Sequence, residues 1–286
     1  MPSVSFEFYP PKSLEASFRL WDCVQVLAPL SPTFVSVTYG AGGTTRKLTH
    51  DAVATLHKRT DLRVAAHLTC VDASKNETLE IAQGYADAGI TDIVALRGDA
   101  PKGATQFTPH PQGFASSIEL IEALSDAGTF NISVGAYPEL HPQADSMSGH
   151  IDYLKRKLEA GASQAITQFF FESETYLRFR DACDAAGIAE QIVPGILPVE
   201  NWKGVQKFAT SCGASIPPLV KEAFDKAERD DRSDLLATAF ATELCDDLMN
   251  EGVEHFHFYT LNRPELTRDV CRALGIQSKV NLENVA

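Results

Sequence analysis

Ser5-Phe-Glu-Phe-Tyr-Pro-Pro-Lys12 is the stretch that decides the fold. Side chains on a strand alternate faces, so Ser5 and Glu7 share one face while Phe6 and Phe8 share the other. A carboxylate among aromatic and β-branched neighbours is costly unless it is paired or works protonated. Glu7 is therefore either one half of a core ion pair or a functional acid. Later segments repeat the pattern of an apolar run that ends in polar residues.

Those segments predict strands over Val4–Tyr9, Phe34–Tyr39, Arg63–Cys70, Asp92–Asp99, Ile132–Pro138, Ala165–Phe171, Ile192–Val199 and His255–Asn262. Stretches with helical apolar spacing lie between them, such as Leu14–Leu30, Leu79–Ala88, Ser117–Ala127 and Tyr176–Ala186. Strand starts recur roughly every 30 residues, the length of a βα unit, with a longer gap before the last. Repeated βα units in 286 residues point to an α/β fold of the (β/α)8, or TIM, barrel type, typically ~250 residues long. A doubly wound sheet would carry Gly-x-Gly-x-x-Gly in its first turn. Here that turn reads Tyr9-Pro-Pro-Lys-Ser13. The long gap holds Trp202–Ser211, then a helical region from Leu219 through Asn250, read as extra helices that either brace the barrel or form a subunit contact. A homo-oligomer is left open on that ground. No linker rich in Gly or Ser divides the chain, so residues 1–286 read as one domain.

Composition narrows the function. A net charge of −13 argues against a dedicated binder of nucleic acid or of an anionic membrane. Six scattered cysteines form no close pair of the zinc or redox kind and read as free thiols of a reducing cytoplasm. Met1-Pro-Ser-Val-Ser-Phe enters the first strand at once, which leaves no room for a signal peptide. No apolar run approaches the ~20 residues of a membrane helix.

Barrel sites lie at the C-terminal ends of the strands. Those ends supply Glu7; Thr38 and Tyr39; His67 and Thr69; Arg97 and Asp99; Tyr137, Glu139 and His141; Gln168; and Tyr259, Asn262 and Arg263. This aromatic, amide and mixed-charge set suits a large, flat, polar-edged ligand better than a bare metal. A binuclear metal hydrolase would want His-x-His near the end of the first strand, which has no histidine. A Schiff-base aldolase would want a lysine inside a strand, often the sixth, and Ala165–Phe171 has none. Phosphate-binding barrels place Gly-rich turns after strands seven and eight, whereas the Gly-rich turn here is Gly40-Ala-Gly-Gly-Thr-Thr, after strand two.

Eight blocks carry a specific resemblance: Phe6-Glu-Phe-Tyr-Pro-Pro-Lys, Phe34-Val-Ser-Val-Thr-Tyr-Gly-Ala, His67-Leu-Thr-Cys, Ala95-Leu-Arg-Gly-Asp, Ala136-Tyr-Pro-Glu-Leu-His-Pro, Ala165-Ile-Thr-Gln-Phe-Phe-Phe, Pro194-Gly-Ile-Leu-Pro-Val and His257-Phe-Tyr-Thr-Leu-Asn-Arg. In this order, one at each strand, they resemble the 5,10-methylenetetrahydrofolate reductases in their short bacterial form. The resemblance implies a barrel bearing FAD. It also implies ping-pong reduction of methylenetetrahydrofolate to 5-methyltetrahydrofolate, by hydride passed through flavin N5 from NADH or NADPH, in the branch that feeds methionine synthesis. NADH is the expected donor, by analogy with short bacterial members.

By the same resemblance, Glu7 matches the general acid that opens the folate imidazolidine ring, and Asp99 matches the acid beside flavin and pterin. Gln168 matches the amide that bonds folate and nicotinamide, Phe208 a mobile stacking aromatic, and Arg263 the residue that meets the folate tail. Thr38 and Tyr259 complete the substrate set. Thr38, Tyr39, His67, Leu96, Arg97, Gly98 and Asp99 are expected along the isoalloxazine and ribityl chain. Phe114, Ala115, Tyr137 and His141 are expected to flank the adenosine, and Arg156 and Lys157 to neighbour the pyrophosphate. His150 and Tyr153, expected in the helix that contacts FAD, stand where familiar members have an Asp and a small polar residue. The stretch Ala100–Gln112 is longer and richer in proline than usual. Proline dehydrogenase, a related flavin barrel, would show an arginine cluster near strand eight, where only Arg263 is suitably placed. A folate- or flavin-binding protein without turnover would not need Glu7, Asp99 and Gln168 together.

Overall fold

Parallel strands and helices alternate along residues 1–39, 46–98, 107–141 and 144–278, which a computed structural model describes. The strands are β1 (Ser3–Phe8), β2 (Val35–Val37), β3 (Val64–Thr69), β4 (Asp92–Leu96), β5 (Asn131–Ala136), β6 (Gln164–Thr167), β7 (Ile192–Val193), β8 (Gly195–Ile196) and β9 (His255–Tyr259). Their order in the sheet is β7-β6-β5-β4-β3-β2-β1-β9-β8, with every pairing parallel. This is the expected TIM-type barrel with one difference. The seventh strand, expected unbroken over Ile192–Val199, is cut at Pro194, which has no N–H to give a ladder. Its first half pairs with β6 and its second half with β9, so the ring closes through a single interrupted strand.

Closure is completed by side chains. Gly195 N–H donates to Thr167 Oγ1 at 2.9 Å, and the Tyr259 hydroxyl donates to the Thr167 carbonyl at 2.6 Å. A Cβ on residue 195 would sit 2.6 Å from Tyr259 Cε2, so only glycine admits the ring there. Most expected strands overran the ladder at their C-terminal ends. Phe34–Tyr39 shortens to Val35–Val37 and Ala165–Phe171 to Gln164–Thr167, because those residues leave the sheet to build loops above it.

The helices are α1 (Leu14–Leu27), α2 (Arg46–Arg59), α3 (Lys75–Asp87), α4 (Ser117–Asp126), α5 (Met147–Glu159), α6 (Ser173–Ala185), α7 (Trp202–Cys212), α8 (Pro218–Arg229), α9 (Ser233–Asn250) and α10 (Pro264–Ala273). Serine caps set several starts. Ser74 and Glu77 form a reciprocal capping box, which begins α3 at Lys75 rather than at the expected Leu79. The expected insert is the α8–α9 pair, turned at Asp231, whose φ is 53°. Trp202 fastens it to α7, stacking on Phe224 at 4.8 Å and donating to Asp225 at 2.7 Å. The main apolar core lies between sheet and helices, and a small second one (Phe34, Ala65, Val94, Ile166, Val193) plugs the barrel. All six cysteines are free. Among the described residues no helix is long and apolar enough to cross a membrane.

Candidate active site

A cavity of about 1280 Å³ opens at the C-terminal ends of the strands. Single-ligand clefts usually hold ~300–1,000 Å³, so the space suits more than one small molecule. Glu7, Thr38, Tyr39, His67, Leu96, Tyr137, His141, Gln168, Phe208, Tyr259 and Arg263 all line it.

Glu7 sits near the end of β1, in register with Ser36 of β2 and Tyr259 of β9. Its Oε2 lies 3.4 Å from His67 Nε2 and 3.9 Å from His257 Nε2. Burial raises the Glu7 pKa, an effect that His67 opposes only in part. Burial also lowers His67 and brings His257 down to about 3. The arrangement thus favours a carboxylic acid facing neutral imidazoles over an ion pair. The loop after β9 holds this strand end. Thr260 Oγ1 donates to the Glu7 carbonyl at 2.7 Å. Asn262 accepts from Tyr9 N–H at 2.8 Å and donates to the Tyr9 carbonyl at 2.9 Å. Leu261 and Asn262 have φ of 49° and 56°, a left-handed pair that only such a network would keep in place.

On the opposite wall, Gln168 lines the cavity and its Oε1 accepts from Phe169 N–H at 3.0 Å, which leaves the side-chain NH₂ as the donor for a ligand. Phe208 leans on Phe169 with ring centroids 5.2 Å apart. Tyr259 spends its hydroxyl on Thr167, so its ring rather than its OH faces a ligand. Arg263 is held by Glu200 at 3.1 Å on the rim.

Positive charge gathers behind the β4–β5 side. Lys157 is partly buried and donates to the Gly135 carbonyl at 2.8 Å; desolvation of its ammonium, with Arg97 nearby, lowers its pKa to about 8. His141 is lowered by burial and then by Arg97, His150 and Lys157. Among the described residues the charges that shift these two groups are all positive, a setting that an anion would relieve. Thr69 Oγ1, at the end of β3 beside the Gly98 turn, is buried without a hydrogen-bond partner among the described residues. Gly98 itself has φ of 87°, and a Cβ there would press on Thr69.

The model of the family described as methylenetetrahydrofolate reductase matches residues 1–275. The 5,10-methylenetetrahydrofolate reductase of Pectobacterium carotovorum is 46% identical over 97% of this chain and 92% of its own length. The Escherichia coli enzyme of that name is 46% identical over 96% of this chain and 91% of its own. The chain belongs to the methylenetetrahydrofolate reductase family. Reduction of methylenetetrahydrofolate is the activity that this membership supports. A solved structure titled as an uncharacterized Clostridium thermocellum protein that binds two copies of 5-methyl-5,6,7,8-tetrahydrofolic acid has a TM-score of 0.62 at 13% identity, covering 96% of this chain and 94% of that one. At that identity it speaks for the fold.

The remaining expected residues are dispersed. Asp99 lies outside the described residues, as do Gly40–Thr45 and residues 100–106 of the proline-rich stretch. Phe114 is buried under the Lys75 ammonium, and Ala115 N–H donates to Glu119. His150 shares a hydrogen bond with the Tyr137 carbonyl at 2.9 Å. The Tyr153 hydroxyl bonds Ser117, while its ring receives both Arg156 and Lys157, at 5.9 and 5.2 Å. Arg156 is exposed, whereas Lys157 points inwards.

Sequence reading missed Lys12 and Ser13 of the loop after β1, and Ala16 and Arg19 of the first turns of α1, which all line the cavity. No strand-end rule reaches into a helix. It also gave His257 no role. There a signal existed, since His255, His257 and Tyr259 alternate in step with Ser3, Ser5 and Glu7.

Proposed function

We propose that this chain is an FAD-dependent methylenetetrahydrofolate reductase that draws hydride from NADH, with NADPH the alternative donor, and releases 5-methyltetrahydrofolate for methionine synthesis in the cytoplasm. The observation that carries this reading is Glu7, a carboxyl whose pKa burial raises, on the wall of a cavity large enough for cofactor and substrate together.

Opening the folate imidazolidine ring needs a proton on its leaving nitrogen, and Glu7 is the acid in place to give it. The neutral His67 beside it does not draw that proton into an ion pair. Gln168 offers its NH₂ to whichever ring lies on that wall, pterin or nicotinamide, and Phe208 supplies an aromatic face next to it. Arg263 on the rim suits the carboxylates of a folate tail. Thr38, Tyr39, His67 and Leu96 form the opposite wall, where FAD would be held and would carry hydride from one substrate to the other. Lys157 and Arg97 would give its pyrophosphate a positive setting, and Tyr137 and His141 flank the next part of the cavity. Asp99 is proposed as the acid beside cofactor and pterin, where negative charge would favour hydride leaving towards a cationic iminium.

The test is optical. Purified protein, reconstituted with FAD if need be, should be yellow, bleach anaerobically with NADH, and recover its colour on adding methylenetetrahydrofolate. Protein that cannot take up FAD, or that bleaches but is not reoxidised by the folate, would overturn the reading.

A further inference from the structure

The barrel interior has a polar seam that the reduction chemistry above leaves unused. Ser3 and Ser5 of β1 are in register with His255 and His257 of β9. Their side chains form one column. Ser3 Oγ lies 2.7 Å from His255 Nδ1, His255 Nε2 lies 3.0 Å from Ser5 Oγ, and Ser5 Oγ lies 2.7 Å from His257 Nδ1. His257 Nε2 then faces Glu7 Oε2 across 3.9 Å. A carboxyl turn of about 1 Å would make that gap a hydrogen bond. At the far end Ser3 is exposed, at the opposite mouth of the barrel from the cavity, with Oγ 3.1 Å from the Glu254 carbonyl. Phe34 stacks along both imidazoles, at 6.5 and 5.6 Å, and screens the column from the rest of the interior. Ser5 and His257 are 0% and 1% exposed.

We propose that this column returns a proton to Glu7 between turnovers, from the face of the barrel opposite the substrate cavity. The proposal rests on Glu7 being the acid that protonates the folate. Each turnover then strips Glu7 of one proton, which stays on the product, at a time when the cavity above it is filled.

The geometry suits the task because the column has two complementary settings. A neutral imidazole carries one N–H and one lone pair, and a hydroxyl donates once. Burial keeps both rings neutral, lowering His255 to about 4 and His257 to about 3. With Glu7 ionised, Ser3 donates to His255 Nδ1, His255 Nε2–H to Ser5, Ser5 to His257 Nδ1, and His257 Nε2–H points at the carboxylate. A solvent proton then binds Ser3 Oγ as the Ser3 proton passes to His255 Nδ1. The His255 Nε2–H bond breaks as a new Ser5 O–H forms, and the former Ser5 proton moves to His257 Nδ1. The His257 Nε2–H bond breaks as Glu7 Oε2–H forms. One proton enters, one arrives, and no electron moves. The column is left in its second setting, every donor reversed and Ser3 donating to the Glu254 carbonyl, until hydroxyls and tautomers turn back.

The test compares the first turnover with the steady state in the FAD-loaded enzyme. Ser5→Ala interrupts the column at its centre, and His255→Gln keeps polar contacts but cannot shuttle. In both, folate reduction by pre-reduced enzyme should match wild type on the first turnover, because Glu7 starts protonated. Steady-state kcat should fall on the order of tenfold, within the range of lost proton-transfer assistance, and Ser5→Thr should restore it. Unchanged kcat in both variants would overturn the relay. So would a first turnover slowed as much as kcat, which would make Ser5 a positioning residue for Glu7. Failure of the underlying reading looks different: Glu7→Gln would then reduce folate at the normal rate on the first turnover, whatever the column variants do.

Discussion

Glu7 and His67 stand 3.4 Å apart, Oε2 to Nε2, and burial pushes their pKa values away from those of an ion pair. The carboxyl rises, so it holds its proton to higher pH. The imidazole falls, so it does not take one. A carboxylate and an imidazolium at this distance would attract each other, but burial makes the charged pair costly to hold.

Glu7→Gln should therefore split the two half-reactions. Flavin reduction by NADH needs no proton from this side chain and should fall less than about tenfold, while folate reduction should fall by ~10²–10⁴. The amide is nearly isosteric, so FAD content should survive. Anaerobic stopped-flow reads each half separately. Equal losses in both would make Glu7 a structural residue.

Stability should have an acid limb that comes from the interior. His255 and His257 drop from an ordinary 6.5 to about 4 and about 3 in the folded chain. A depressed imidazole pKa means that the unfolded chain binds more protons below pH 6.5. Its contribution is full above that value and is lost as pH falls towards the folded pKa. Each histidine adds about 1.4 kcal/mol per pH unit of slope across that window. Urea midpoints between pH 6.5 and 4 should thus fall less steeply in His257→Gln than in wild type. An unchanged slope would show that His257 is not held neutral.

Arg156 and Lys157 are adjacent in sequence but not equivalent in space. Arg156→Ala should leave FAD retention on dilution nearly unchanged, since its guanidinium is exposed over Tyr153. Lys157→Met should weaken it by roughly 1.5–3 kcal/mol, the contribution of one charged hydrogen bond. Because Lys157 titrates at about 8 before an anion binds, retention should also decline as pH rises past that value. Equal effects of the two substitutions would move the pyrophosphate site outwards.

Gly195→Ala should destabilise the barrel by at least the 1–3 kcal/mol of a typical overpacked core, since the new methyl meets both the Thr167 carbonyl and the Tyr259 ring. Tyr259→Phe should cost about 1–3 kcal/mol by leaving that carbonyl unsatisfied. The Gly195→Ala, Tyr259→Phe double variant should lose less than the sum, because Phe removes the hydroxyl that a Cβ on residue 195 would meet at 2.8 Å and frees the ring from Thr167, so that it can move aside. Chemical denaturation checks this, and strict additivity would uncouple the two residues.

The barrel was legible because strand periodicity and unit length are local signals, and Glu7 was legible because a carboxylate in an apolar strand has to be explained. The cut at Pro194 was written in the chain too, although an apolar run from Ile192 to Val199 reads as one strand until pairing partners are known. The His257–Ser5 contact joins residues that only ring closure brings together. No single segment contains it. Lys157 and Arg156 share one basic run, and which of them turns inwards depends on how α5 sits on the sheet, a tertiary fact.

The interrupted seventh strand gives the barrel a hinge line of its own. With two-residue ladders on either side of Pro194, this is where fewest hydrogen bonds must break for the ring to breathe, and where closure during folding should come last. Amides of Gly195 and Ile196 should exchange with deuterium ahead of those of Phe6 and Leu68. Gln168 and Tyr259, which both line the cavity, stand on opposite sides of that line. A molecule gripped by both walls would act as a staple, slowing exchange there and raising the melting temperature through the part of the ring least able to hold itself shut.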